Sequence, residues 1–333
     1  MSVTEIDGEG VRLRAAGPGD PAGLPYAGTD GARWAITDPA TGRALGVIGL
    51  HRGELTVEVA PHARHRGLAT AAVRALTGWA FDSGHTRLEL LTTWENTIAQ
   101  RVAMAAGYQR EGVRRGARDG ADLLPFARLP GDPPGPIPRL LPDLPGGELT
   151  DGVVTLRPLN AGDVDFYTEL QAVPDVIATS VPPEQPSPEE VRRRCTTAEA
   201  QWLAGQRADL VLVDAATGTP AGGMGLFYQE PRTGQAMIGY SQLPAWRGRG
   251  YTTRAVQLLS LWVFAETAIA RLIAGTMPTN RGSQRVLEKA GFTREGYQRS
   301  RLPGPDGRRV DDIQYALLPE DVLRSTAADA PTT

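Results

Sequence analysis

The chain is predicted to be a mixed α/β protein (α+β in its strand order). It should hold two tandem domains, each with a mixed, mostly antiparallel central sheet flanked by helices. Three observations predict this: a glycine-arginine motif that occurs twice, an ordered series of matches around both copies, and strand-like runs alternating with apolar helical periods. Residues 61–73 read Pro-His-Ala-Arg-His-Arg-Gly-Leu-Ala-Thr-Ala-Ala-Val, and residues 244–256 read Pro-Ala-Trp-Arg-Gly-Arg-Gly-Tyr-Thr-Thr-Arg-Ala-Val. Each copy lies between a strand-like run and a long apolar-periodic helix.

The repeat reaches well beyond the motif. Val73, Trp79 and Phe81 match Val256, Trp262 and Phe264. After a one-residue slip, Thr92, Asn96, Gln100, Arg101 and Val102 match Thr276, Asn280, Gln284, Arg285 and Val286. Leu13, Arg14 and Asp20 match Leu156, Arg157 and Asp163. Chance does not produce so many matches in order. A length of 333 residues allows two domains, each able to bury a core.

In the second copy, Val153 to Leu159 reads as a strand and Asp163 to Ala172 as a helix. Ser187-Pro188-Glu189-Glu190 is a helix start, with a hydroxyl cap, proline at the first position and a glutamate three residues after the cap. That helix should end near Gly205. Strands follow over Leu210 to Val213, Gly222 to Tyr228 and Met237 to Leu243. A helix then carries Val256, Leu259, Trp262 and Val263 on one face. Strand Leu272 to Thr276, helix Arg281 to Lys289 and two strands around Pro305-Asp306-Gly307 complete the copy. The first copy has only a short glycine- and proline-rich stretch between Asp20 and Arg33. There it should lack the two helices of the second. Boundaries are predicted at 1–129 and 151–320, with a proline-rich extended linker over 130–150 and a flexible tail over 321–333.

Hydrophobic residues make up 41% of the chain and charged residues 22%, with a net charge of −3, as in a soluble globular protein. That balance argues against a nucleic-acid-coating role, so no nucleic acid is expected as a partner. The single cysteine, Cys195, forbids an internal disulfide. No signal peptide or membrane span is visible in the sequence, and a cytoplasmic protein is expected. His62 and His65 have no third ligand nearby, so no metal is expected.

An Arg-x-Arg-Gly turn at a helix start gathers free backbone N–H groups at one point, and glycine lets an anion approach them. The arginines Arg64 and Arg66, or Arg247 and Arg249, add mobile positive charge. This suits a diphosphate. It is neither the P-loop, which needs a lysine after the glycine, nor the dinucleotide fingerprint, whose glycine spacing differs.

The turns Arg64-His65-Arg66-Gly67-Leu68-Ala69 and Arg247-Gly248-Arg249-Gly250-Tyr251-Thr252 resemble the Arg/Gln-x-x-Gly-x-Gly/Ala signature of GCN5-related N-acetyltransferases (GNAT). The block from Asn280 to Phe292 resembles the ribosomal-protein N-terminal alanine acetyltransferase branch. The resemblance implies two tandem GNAT-type domains and acetyl-CoA as co-substrate. The diphosphate would rest on the amides from Arg249 to Thr253 (Tyr251 and Thr252 between them), and in copy one on those of Arg66, Gly67, Leu68, Ala69 and Thr70. The pantetheine arm would pair with Gln242 and Leu243, and Asn280 would bond it near the sulfur.

Many members of the family place a tyrosine seven residues after that asparagine as acid for the thiolate. Leu287 and Ala103 stand there instead. The ribosomal branch has a serine three residues after the asparagine, matched by Ser283 but by Ala99 in copy one. Catalysis is therefore expected in the second domain, with the first a degenerate copy. The general base stays open among Glu230, Asp311 and Asp312. Met237 replaces the family's glutamate, while Glu54 and Glu58 lie on the matching strand of copy one. The acceptor is expected to be a small-molecule amine or a peptide N-terminus. The chain would be a monomer with an internal pseudo-dimer, or a homodimer. The competing expectation is a non-catalytic acyl-CoA sensor, or the same fold with another acyl or aminoacyl donor.

Overall fold

The computed structural model describes residues 5–18, 20, 31–304 and 307–322. The chain divides into two compact units, residues 1–138 and 139–333.

In the first unit the strands are β1 (Glu5–Gly8), β2 (Val11–Ala15), β3 (Ala32–Thr37), β4 (Ala44–His51) and β5 (Glu54–Val59). Helix α1 (Leu68–Asp82), strand β6 (Leu88–Thr92), helix α2 (Thr97–Ala105) and strands β7 (Gln109–Arg110), β8 (Arg114–Arg118) and β9 (Ala121–Arg128) follow. The sheet runs β1-β2-β3-β4-β5-β6-β9-β7, with β8 paired to β9. Among the described residues its one parallel pair is β5 with β6, and α1 is the crossover that such a pair requires. The expectation that copy one lacks two helices falls largely on residues 21–30, outside the described residues.

The second unit opens with β10 (Leu149–Thr150), β11 (Val154–Pro158) and the helices α3 (Val164–Gln171), α4 (Pro174–Thr179) and α5 (Pro188–Leu203). Strands β12 (Arg207–Asp214), β13 (Pro220–Glu230) and β14 (Gln235–Gln242) come next. Helix α6 (Tyr251–Glu266), strand β15 (Arg271–Thr276), helix α7 (Arg281–Lys289) and strands β16 (Thr293–Pro303) and β17 (Arg309–Leu317) complete it. The order β10-β11-β12-β13-β14-β15-β17-β16 repeats the plan of the first sheet. Residues 305–306 of the last hairpin and 323–333 of the predicted tail lie outside the described residues.

Local chemistry accounts for the helix ends. Ser187 Oγ accepts from the Glu190 amide at 3.3 Å, and Glu190 accepts in return from the Ser187 amide at 2.8 Å. Gly205, just past α5, sits at φ +72°. Short α4, which the sequence reading passes over, starts with Pro174 in the first turn. The second copy therefore carries three helices before β12, not two.

The predicted linker is also corrected. Leu141 and Leu144 are buried in the core of the second unit, and Trp202 Nε1 donates to the Pro142 carbonyl at 2.9 Å. β10 then pairs with β11. Extended proline-rich backbone lacks internal hydrogen bonds, which leaves its apolar side chains able to seal a neighbouring core.

The matched tryptophans are core residues in both units. Trp34 meets Trp79 edge-on at 5.3 Å, and Trp202 meets Trp262 at 5.9 Å. Cys195 is buried on α5, and burial pushes its thiol up to about 11, which makes it a poor nucleophile.

Candidate active site

The site of the second unit starts where β14 leaves β15. Their parallel ladder covers only Gln235, Ala236 and Met237, so Ile238 to Gln242 have no partner strand on that side. A cleft of about 740 Å3 opens there. Its walls come from β14, the turn after it, the start of α6, α4, and α7 from its cap Asn280 to its last residue Lys289.

The turn is built for an anion. Gly248 and Gly250 hold φ of +75° and +78°, and a Cβ on either would meet nothing within 4 Å. The first amide bonded back into α6 is that of Arg254, to the Gly250 carbonyl at 3.1 Å. The amides of Tyr251, Thr252 and Thr253 therefore have no partner within the helix. The first copy repeats this, with Gly67 at φ +76° and the Ala71 amide bonded to Gly67. Leu68, Ala69 and Thr70 take the places of Tyr251, Thr252 and Thr253. The glycine of the second copy between the arginines becomes His65, held at φ +60°.

Of the residues predicted in the second copy, Gln242, Arg247, Gly248, Gly250, Tyr251, Thr252, Thr253, Asn280 and Ser283 all line the cleft. Two do not. Leu243 packs into a small core with Leu159, Tyr167 and Val211, and its amide donates to Ala221 at 2.9 Å. In an antiparallel ladder successive residues face opposite edges, so the backbone of Gln242, not that of Leu243, faces the gap. Arg249 lies over the Trp246 ring at 5.0 Å.

Arg247 is not the mobile cation it was expected to be. Its Nε donates to the Gln242 carbonyl at 3.1 Å, and its two Nη atoms bind Asp175 of α4 at 2.5 and 3.0 Å. This guanidinium holds the Asp175 carboxyl below the usual carboxylate range. In the first copy Arg64 Nε reaches the Val59 carbonyl at the same 3.1 Å. The first arginine of each motif thus pins the turn to the end of its own strand.

Asn280 caps α7, accepting from the Ser283 amide at 3.0 Å. Asn96 caps α2 in the same way, with the Ala99 amide at 3.1 Å. Ser283 Oγ in turn lies 3.0 Å from the Tyr240 hydroxyl. Tyr240 comes from β14, and burial pushes its phenol up to about 12, with the Ser283 hydrogen bond acting in the opposite direction. The phenol is therefore protonated, and able to donate, at any pH near neutrality. Sequence reasoning missed Tyr240 because it looked for a phenol on the helix, where Leu287 is wholly buried. A signal was present in the repeat. Tyr240 and Ser283 correspond to Val57 and Ala99, so both hydroxyls are replaced together.

None of the three base candidates lines the cleft. Glu230 bonds Thr233 within a turn, at 3.1 Å. Asp311 accepts from the Ser300 amide at 2.7 Å and from the Tyr297 hydroxyl. Asp312 is fully buried and accepts from Arg301 at 2.8 Å and from Gln314. Burial raises its carboxyl above the ordinary range. In the first unit Glu54 pairs with Arg118 at 3.2 Å. Among the described residues no group of three or more His, Cys, Asp or Glu side chains could hold a metal, and no helix is long and apolar enough to cross a membrane.

A splayed parallel strand pair above a helix-start anion turn, present in both units, defines a duplicated acyltransferase-type α/β domain. The family model described as Acetyltransferase (GNAT) domain matches residues 23–109 and 154–293, more than half of the chain. The chain belongs to this family. It is 48% identical over 67 residues to the Probable N-acetyltransferase YjcK of Bacillus subtilis, a match covering 20% of this chain and 37% of that one. It is 33% identical over 84 residues to the Uncharacterized N-acetyltransferase YnaD of the same organism, covering 25% and 49%. The chain thus spans half or less of the length of these two relatives. A solved GNAT-family acetyltransferase from Bacillus anthracis superposes with a TM-score of 0.46 at 22% identity, covering 52% of this chain and 99% of that one.

Proposed function

We propose that the second unit is an acetyl-CoA-dependent N-acetyltransferase, with a primary amine as acceptor. The observation that carries this is the cleft itself. The Gly250 turn with its free amides and the Ser283–Tyr240 hydroxyl pair line the same cleft. Acetyl-CoA supplies an activated acyl thioester. The open space above Gly248 and Gly250 suits its diphosphate, and the edge of β14 at Tyr240, with the amide of Gln242 whose carbonyl Arg247 already holds, suits the polar groups of its pantetheine arm.

In this reading the neutral amine attacks the thioester carbonyl carbon. The C–N bond forms, the C–S bond breaks, and the electron pair of the C–S bond leaves on sulfur. Ser283 Oγ–H protonates the departing thiolate while the Tyr240 phenol, 3.0 Å away, passes its own proton to the serine oxygen, and the phenolate regains a proton from water, so both hydroxyls are restored. The amine gives up its proton to water, since among the described residues the only carboxylate lining the cleft is Asp175, held by Arg247. The first unit carries Val57 and Ala99 at the two hydroxyl positions, so it performs no chemistry.

The test is thiol release from acetyl-CoA by the purified chain across a panel of amines and peptide N-termini. Ser283→Ala should lower kcat by about 10²-fold or more, the scale of a lost general acid, while coenzyme A affinity stays within a few-fold. Tyr240→Phe keeps the ring and should cost about tenfold. The double variant should be no worse than Ser283→Ala alone, because the two groups act as one unit. Equal losses of kcat and affinity would make Ser283 a binding residue. Tight coenzyme A binding with no turnover on any amine would favour the sensor reading.

A further inference from the structure

Coenzyme A carries three phosphates, and the Gly250 turn accounts for the two of the diphosphate. The third is a monoester on the adenosine ribose, with a charge near −2 at neutral pH by analogy with other phosphomonoesters. Among the described residues the cleft is lined by three cationic side chains: Arg247, Arg285 and Lys289. Arg247 is committed to Asp175 and to the Gln242 carbonyl.

Arg285 and Lys289 stand four residues apart on α7, so they lie on one face of that helix, and both line the cleft. Neither has a hydrogen-bond or ion-pair partner among the described residues. The neighbouring charges on α7 are engaged elsewhere: Arg281 donates to Gln284 at 3.2 Å, and Glu288 accepts from Tyr315 at 3.1 Å. Helix α7 packs beside α6, whose N-terminus bears the free amides, and residues of both helices line the one cleft. A lone Lys289 would be explained by the negative end of its own helix. Arg285, a full turn earlier, has no such explanation. Copy one carries Arg101 and Ala105 at these positions and so lacks the pair.

We infer that Arg285 and Lys289 form a subsite for the ribose 3′-phosphate, by which the cleft distinguishes coenzyme A from its dephospho form. This rests on the reading of the cleft as a coenzyme A site. Two cations against one dianion balance in charge, and both side chains are exposed, so the effect should weaken with salt.

Calorimetry on the full chain with coenzyme A and with 3′-dephospho-coenzyme A tests it. The unaltered chain should bind coenzyme A about tenfold more tightly, a preference that shrinks at high ionic strength. The Arg285→Ala, Lys289→Ala double variant should bind both ligands alike, with its affinity for the dephospho form unchanged. That unchanged affinity also reports an intact fold. An unaltered preference in the double variant would overturn the subsite while leaving the cleft assignment standing. Equal binding of the two ligands by the unaltered chain would do the same. Failure of the unaltered chain to bind either ligand would remove the cleft assignment and the subsite together.

Discussion

Gly250→Asp should abolish coenzyme A binding and leave the fold in place. At φ +78° a residue with a Cβ is strained by about 1–2 kcal/mol, a penalty that Asp tolerates better than most. Nothing stands within 4 Å of the added Cβ, so no clash accompanies the strain. The new carboxylate would sit beside the unpaired amides of Tyr251, Thr252 and Thr253 and compete for them, as acidic residues do at helix starts. It would also repel a diphosphate. Together these effects should weaken binding by at least about 100-fold, equivalent to about 2.7 kcal/mol. Titration calorimetry reads the affinity, and a melting temperature within a few degrees shows the fold to be intact. Gly67→Asp in the first copy is the matched comparison. Loss of affinity in that variant alone would move the donor site to the first unit. Full affinity in the Gly250 variant would remove its turn from the site.

Asp209→Asn should destabilise the second unit strongly without touching the cleft. Asp209 lies on β12 with 4% of its surface exposed, bound by Arg194 at 2.8 Å and by Arg207 at 2.7 Å. Arg194 lies over Tyr167, and Arg207 over Phe227, at 5.0 and 4.8 Å. Removing the charge they share leaves two part-buried guanidinium groups beside the same side chain, which an amide cannot neutralise. The cost should be about 2–4 kcal/mol, below the full penalty for a buried pair because both arginines keep some contact with water. Denaturant unfolding of the full chain should show the transition of the second unit at lower concentration. A shift smaller than about 0.5 kcal/mol would mean that solvent already screens the two arginines.

Much of the site could be read from the chain because the demands there are local. Gly250 and Gly67 stand where the backbone needs positive φ, Asn280 and Asn96 where a helix needs a cap, and Ser187 where a capping box starts α5. Each follows from a few consecutive residues, and the internal repeat states each demand twice. The failures share the opposite character. Arg247 meets Asp175 from 72 residues upstream, and Tyr240 meets Ser283 across 43 residues. The side to which the backbone of Leu243 turns depends on pairing register, which the periodicity of one strand does not specify. Leu141 and Leu144 stand among prolines that mark a linker by composition, while their side chains are buried in a core that distant strands and helices complete.

The sequence alone determined the duplication, the sheet-and-helix order, the two anion turns and the asymmetry between Ser283 and Ala99. These depend on residue type and spacing along one stretch of chain, where sterics and helix-end hydrogen bonding act over a few residues. Tertiary structure alone decided that Arg247 is tied down, that a strand tyrosine supplies the second hydroxyl, and that the free cations of the cleft are Arg285 and Lys289. Those outcomes depend on which distant charges and hydroxyls the folded sheet brings within about 3 Å, the range over which hydrogen bonds and ion pairs form.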